Sequence, residues 1–156
     1  MDCKYLPVLF KHSKKEMRLK HQLFTAAVRD KANFLATAIV MYHIDVNTVD
    51  SNCRSLLWFA VAYDRVSAVA VLLLAKANVN KADAYGDSPL HIAVRHASFE
   101  VIRALLEAGA QIDRLDDGGQ TALYWAVHDK RQKVVDLLLS FNADVNKAAG
   151  CGMPPI

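Results

Sequence analysis

The chain has 156 residues, of which 53% are hydrophobic and 22% are charged, so it can bury a core and lacks the composition of a disordered chain. The formal charge of +3 comes from residues 1–21, which hold six basic and two acidic side chains against 13 basic and 14 acidic in the rest. One domain is expected, and its near-neutral body argues against nucleic-acid binding through the folded part.

The three cysteines, Cys3, Cys53 and Cys151, are far apart and show no CxxC spacing. This pattern argues against a disulfide framework and against a structural zinc site. We therefore expect no disulfide, no metal and no cofactor. A reducing compartment, cytoplasmic with the nucleus as an alternative, follows from the same pattern.

Residues 1–16 are predicted to form a basic N-terminal extension. The apolar run Tyr5 to Phe10 is short, contains Pro7 and is followed by lysines, which does not fit a secretory signal. We expect it to cover the open side of the first structural unit, and a docking peptide for another molecule is the alternative.

Ser13 and Glu16 have the spacing of a capping box, which predicts a helix that starts at Lys14. The basic side chains of residues 11–20 would then lie on its solvated face. The alternative is a nuclear-import signal or a patch for anionic surfaces.

The stretch from Leu56 to Ala75 has only Asp64, Arg65 and Ser67 as polar members and is a candidate membrane span. A charge at the centre of a spanning helix costs about 2.5–3.5 kcal/mol on an insertion scale. We therefore expect no membrane span.

The sequence repeats itself with a period of 33 residues. Five columns carry the period: Asn47, Asn80, Asp113 and Asn146; Ala27, Ala60, Ala93 and Ala126; Ile39, Leu72, Leu105 and Leu138; Val40, Leu73, Leu106 and Leu139; Gly86, Gly119 and Gly152. Inside one period, Pro89 to His96 and Phe99 to Ala108 are each predicted to be a helix. Such short helices are not stable alone, so neighbouring pairs must stack into a solenoid.

The segment from Asp83 to Ala93 contains Ser88-Pro89-Leu90-His91-Ile-Ala93, which resembles the T-P-L-H-x-A signature of the ankyrin repeat family. The resemblance implies an all-α solenoid of stacked helix pairs joined by hairpin-like loops. It implies four repeats, at 17–49, 50–82, 83–115 and 116–148, with residues 149–156 as the start of a truncated fifth.

Repeats of this family usually place glycine where the first helix turns into the second, because the residue there is left-handed. This chain has Lys31, Asp64, Ala97 and Lys130 in that column. A left-handed non-glycine residue costs roughly 1–2 kcal/mol, so these turns are expected to be strained or to have another geometry.

Among the histidines, His91 matches the family's structural histidine, which hydrogen-bonds between loops. His96 and His128 lie at the ends of first helices beside Arg95 and Asp129. Stacked helices about 8–10 Å apart are too distant for a histidine–aspartate hydrogen bond, and no nucleophile lies near, so we expect no catalytic site.

The resemblance implies that partners bind a concave strip of hairpin tips and first-helix ends. The 33-residue register places Ser51, Asn52, Ala84 and Asp117 on this strip, together with the residues predicted to bind the partner. The predicted partner-binding residues are Arg54, Tyr63, Tyr85, Asp87, Arg95, His96, Gln120, His128 and Asp129.

The expected function is a non-catalytic protein–protein interaction module, part of a longer adaptor or scaffold. The alternatives are the targeting arm of a multidomain enzyme whose catalytic domain lies beyond residue 156, and a small inhibitor-like protein.

Overall fold

The computed structural model describes residues 14–147, with side chains from Met17 onward. This part of the chain forms eight α-helices in four consecutive pairs. They are α1 (Lys14–Val28), α2 (Ala32–Tyr42), α3 (Leu56–Ala62), α4 (Val66–Leu74), α5 (Pro89–His96), α6 (Phe99–Glu107), α7 (Ala122–His128) and α8 (Gln132–Ser140). The all-α solenoid of helix pairs is therefore confirmed.

The pairs stack so that first helices pack on first helices and second helices on second helices, as α1, α3, α5 and α7 do along one side. The core runs continuously between the two rows. Its leucine column, Leu72, Leu105 and Leu138, is fully buried, and each such side chain stabilises the fold by about 1.5–3 kcal/mol.

The apolar stretch from Leu56 to Ala75 is divided between α3 and α4 by the turn at Tyr63 to Arg65. Within residues 14–147, no helix combines the length and the apolar character that crossing a membrane requires.

Left-handed residues recur with the period of the repeat. His43, Lys76, Gly109 and Asn142 each follow a second helix, and Cys53, Gly86 and Gly119 occupy the hairpin tips. A side-chain carbon at Gly86 would collide with Asp117 of the next tip, so glycine is required at that position by space as well as by backbone angle.

The turn between the helices of a pair follows the expected left-handed geometry at Asp64 and Lys130, each with φ of 55°. The expectation is wrong for Ala97, which is extended at φ −96° and ψ 166°, and for Lys31, where Asp30 is left-handed instead. At Lys31 the cause is a shift in register.

The first repeat is one residue out of register with the others. The N–H of Lys31 donates to the carbonyl of Ala26, as the N–H of Arg65 donates to that of Ala60. Ala26 is therefore the equivalent of Ala60, at a spacing of 34 rather than 33. The sequence analysis placed Val40 in one column with Leu73, Leu106 and Leu139. This placement is wrong, because the shift in register leaves the Val40 side chain 68% exposed.

The predicted helix start at Lys14 is confirmed. Ser13, the segment Tyr5 to Phe10 and residues 149–156 lie outside the described residues, and the four repeat boundaries stay predictions.

The expectation of no disulfide is wrong, because Cys53 is disulfide-bonded. Separation along a chain does not decide which cysteines meet in space. The other two cysteines, Cys3 and Cys151, lie outside the described residues.

Candidate protein-binding surface

Each hairpin is shaped by one aspartate of a 33-residue column. The Oδ1 atom of Asp83 accepts the N–H groups of Tyr85 at 2.9 Å and Asp87 at 3.1 Å. Asp50 and Asp116 accept the same two N–H groups of their own hairpins. A short acceptor side chain that closes a turn on its own backbone explains why aspartate recurs here.

Neighbouring tips are joined by backbone hydrogen bonds. The N–H of Ala84 donates to the carbonyl of Asn52 at 2.9 Å, and the N–H of Asp117 donates to that of Tyr85 at 3.3 Å. The tips therefore form one continuous edge. The Tyr85 side chain projects from its middle and is 71% exposed.

The first helices present a column of two aromatic residues and one isoleucine beside this edge, and the sequence analysis missed it. Phe59, Ile92 and Trp125 are spaced by 33, one residue before the buried alanines, so the signal was present in the sequence. The indole N–H of Trp125 donates to Asp116 Oδ2 at 2.9 Å, which ties this ring to its hairpin.

Two guanidinium groups lie over these rings. Arg54 is 4.8 Å from the ring centroid of Phe59 and pairs with Asp50 at 2.7 Å. Arg95 lies 4.6 Å from the ring centroid of Trp125 in the next repeat. Cation–π contacts of this kind fix both side chains before any partner arrives.

Arg95 also forms an ion pair with the half-buried Asp87. Burial raises the pKa of Asp87, and the charge of Arg95 opposes that shift. Of the predicted residues, Asp87 and Arg95 are joined in this ion pair, Tyr85 lies in the same hairpin and Arg54 belongs to the preceding one.

His91 is the structural histidine that was expected. Its Nδ1 accepts the N–H of Ser88 at 3.2 Å, and its Nε2 pairs with the carbonyl of Gln120 in the next repeat at 3.2 Å. A ring that accepts at one nitrogen and donates at the other is neutral. Burial lowers the pKa of His91, which favours the same form.

The remaining predicted residues are placed differently. Gln120 acts through its backbone in these loops, whereas Tyr63, His96, His128 and Asp129 lie at the far ends of the first helices. His128 Nδ1 lies 2.8 Å from Asp129 Oδ1. This bond joins chain neighbours, so it does not test the expectation that a histidine and an aspartate of stacked helices are too far apart to pair.

Among residues 14–147, no group of three or more histidine, cysteine, aspartate or glutamate side chains is arranged to hold a metal ion. The groups that line the hairpin tips and first helices are aromatic rings, guanidinium groups paired with carboxylates, and the aspartates of the hairpins.

A family model described as ankyrin repeats, in three copies, matches residues 23–116 and 73–149, which is more than half of the chain. No curated protein matches the chain closely enough to count as a relative.

Proposed function

Since the chain belongs to the ankyrin repeat family, whose members are generally protein–protein interaction modules and typically not enzymes, we propose that it binds a partner protein on the strip of hairpin tips and first helices. The proposed contact residues from the sequence are Arg54, Tyr85, Asp87 and Arg95, which lie at or beside the joined hairpin tips. Phe59 and Trp125, whose rings contact the two arginines, are added from the structure.

The observation that carries this proposal is the Arg95 cluster. Arg95 is held between Asp87 of its own hairpin and Trp125 of the next repeat, and Tyr85 stands exposed at the adjacent tip. Tyrosine, tryptophan and arginine dominate binding hot spots, and side chains that are already fixed lose little entropy on binding.

The other members of the predicted set, Tyr63, His96, Gln120, His128 and Asp129, would form the rim. Rim residues contribute less because they keep contact with water. The role of an adaptor or scaffold extends this proposal and is tested by whether the partner can bridge the chain to a second protein.

A cytoplasmic or nuclear location also stays a prediction. The disulfide at Cys53 removes the cysteine argument for it. Fractionation of cells that express the chain would test it.

The proposal is tested by crosslinking the full chain in cell lysate, identifying the captured protein and measuring its affinity for purified variants by calorimetry. Tyr85→Ala and Arg95→Ala should each weaken binding at least about tenfold. Arg103→Ala is the matched control, because Arg103 is an exposed arginine on the second-helix row that also stacks on an aromatic ring, Phe99.

Thermal melts of the same variants separate binding from folding. Tyr85→Ala should leave the free energy of unfolding within about 0.5 kcal/mol of wild type, since its side chain is exposed. Leu105→Ala should cost about 2–5 kcal/mol by opening a cavity between repeats. Unchanged affinity in both Tyr85→Ala and Arg95→Ala would place the interface elsewhere and contradict the proposal.

A further inference from the structure

The outer faces of the second helices differ between the two halves of the stack. With a spacing of 34 after the first repeat and 33 thereafter, two outward columns are Val40, Leu74, Glu107 and Ser140, and Ala36, Ala70, Arg103 and Asp136. Helices α2 and α4 contain no charged residue, whereas α6 contains three and α8 contains two. The outer face therefore changes from apolar to charged between the second and third repeats.

The apolar half of this face is open to solvent. Val40 and Leu74 are 68% and 81% exposed, and they lie on packed helices about 8–10 Å apart. Six large apolar residues of these two helices are at least 39% exposed: Phe34, Val40, Met41, Tyr42, Val66 and Leu74. Single exposed apolar side chains are ordinary, but a group on two neighbouring helices marks an interaction surface.

The area of this apolar patch suits an interface between two chains. A fully exposed residue of this size offers on the order of 150–250 Å², so the exposed fractions of the six correspond to roughly 600–900 Å². A stable complex buries about 800 Å² on each partner, whereas the largest apolar patch of a typical monomer covers about 300–600 Å². The patch is therefore large enough to form one side of a stable dimer.

The lack of charge in α2 and α4 favours a second copy of this chain as the occupant. When two identical faces meet, a face that carries one sign of charge repels itself, and an uncharged face has no such penalty. A different protein or an anionic lipid surface is selected largely by complementary charge, which these two helices do not offer.

We propose that the chain forms a two-fold symmetric dimer in which α2 of each copy packs on α4 of the other. A two-fold axis parallel to the helices brings Val40 against Leu74 of the second copy, and the reverse contact follows by symmetry. The two side chains lie at the same level because they are equivalent positions of the repeat. The charged outer faces of α6 and α8 then lie beyond the overlap, in solvent.

This dimer leaves the proposed binding strip accessible in both copies, because the strip lies on the hairpin tips and first helices. The inference goes beyond the proposed function and does not depend on it. Two strips in one assembly also give a partner with two equivalent sites a gain in affinity without new contacts.

Sedimentation equilibrium of the full chain tests for the dimer. The weight-average mass should reach twice the monomer value of 17.3 kDa by about 100 µM and fall towards the monomer value on dilution. A mass that stays at the monomer value up to this concentration would overturn the proposal. Capture of such a monomer on phosphatidylcholine vesicles would then assign the face to a lipid surface instead.

Leu74→Glu tests whether this face holds the dimer. The fold accepts the substitution because the equivalent position of the next repeat is Glu107. A carboxylate buried without a partner should raise the dissociation constant of the dimer at least about tenfold. Ser140→Glu adds the same charge at the equivalent exposed position of the last repeat and should not change the dissociation constant. A dimer of equal affinity in Leu74→Glu and wild type would be held by other contacts, a disulfide included, and would overturn the proposal.

Val40→Lys tests which helices meet. Alone it should weaken the dimer as Leu74→Glu does, because its ammonium group would be buried against an apolar side chain. A mixture of the two variants should form dimers again, since the ammonium of one copy meets the carboxylate of the other. A mixture that stays monomeric would overturn the pairing of α2 with α4. Both positions are exposed, so thermal melts of each variant should match those of wild type.

Discussion

The junction between the second and third helix pairs and the junction between the third and fourth are closed by opposite chemistry. In the first, the carboxylate of Asp64 accepts the N–H of Ser98 at 2.8 Å. In the second, the guanidinium of Arg131 donates to the carbonyls of Val94 at 2.6 Å and Ala97 at 2.8 Å.

The difference follows from the backbone at the turn. Asp64 is left-handed and has a side chain that can reach the unpaired N–H at the start of α6. Ala97 is extended and has no side-chain acceptor, and here the carbonyls at the end of α5 accept the guanidinium of Arg131 from the next repeat. A carboxylate suits the free N–H groups at a helix start, and a guanidinium suits the free carbonyls at a helix end. Each junction therefore pairs backbone groups that the helix itself leaves without a partner.

The hairpin sides of the same junctions differ too. The indole of Trp58 donates to Asp83 Oδ2 at 3.1 Å across the first junction, and the imidazole of His91 pairs with the carbonyl of Gln120 across the second. Trp58 and His91 are equivalent residues 33 apart. Only the second junction therefore depends on a group that titrates near neutral pH.

The largest effect is expected from Arg131→Ala, which should lower the free energy of unfolding by about 2–3 kcal/mol because several carbonyls lose a charged donor. Urea denaturation measures it. Lys133→Ala, which removes an exposed cation two residues further along the chain, should cost no more than about 0.5 kcal/mol. Equal losses in the two variants would show that Arg131 does not close the junction.

Asp64→Ala should cost about 1–2 kcal/mol, since it removes the acceptor at the start of α6 and places alanine in a left-handed position. Asparagine keeps an acceptor oxygen and tolerates this backbone, so Asp64→Asn should cost less than about 0.5 kcal/mol. Urea denaturation of both variants provides the test, and a loss in Asp64→Asn as large as that in Asp64→Ala would contradict the cap.

Acidification should loosen the second junction. Burial lowers the pKa of His91, so below the ordinary value of 6.5 the unfolded chain binds a proton that the folded chain does not. The free energy of unfolding should therefore fall as the pH drops below that value, by at most about 1.4 kcal/mol per pH unit for one proton.

Urea denaturation at about pH 7.5 and about pH 5.5 measures this loss. His91→Gln should be less stable at both values but should lose the part of the pH dependence that belongs to the imidazole. The same pH dependence in wild type and His91→Gln would refute the assignment to His91.

The smallest effects are expected from glycine at the turns, and they should have opposite signs. Ala97→Gly should destabilise the fold by about 0.5–1 kcal/mol, because an extended backbone gains nothing from glycine and the unfolded chain becomes freer. Lys130→Gly should stabilise it by a similar amount, about 0.5–1 kcal/mol, by relieving a left-handed residue. Calorimetric melts that shift in the same direction would refute this distinction.

The period of 33, with the apolar spacing and Pro89 inside one repeat, was sufficient to predict the helix pairs and the bounds of α5, and the resemblance to ankyrin repeats implied His91 as a link between loops. It could not predict Arg131 as a link, because its bonds reach back 34 to 38 residues and depend on the direction of a long side chain. The positions of Phe59 and Trp125 were visible as a column at the 33-residue spacing, but they were not selected as candidates. The disulfide at Cys53 was missed because separation along the chain does not decide which cysteines meet in space.

The extra residue in α2 limits how repeats of this chain can be exchanged or duplicated in engineered arrays. One residue turns a helix by about 100°, so a module cut from the first repeat at a 33-residue spacing would turn Val40 towards the neighbouring repeat and the buried Ala38 towards solvent. Splice points placed at His43 or later, where the common register resumes, avoid this rotation. The first repeat therefore cannot be exchanged for the others at a 33-residue spacing, whereas the later ones are interchangeable units.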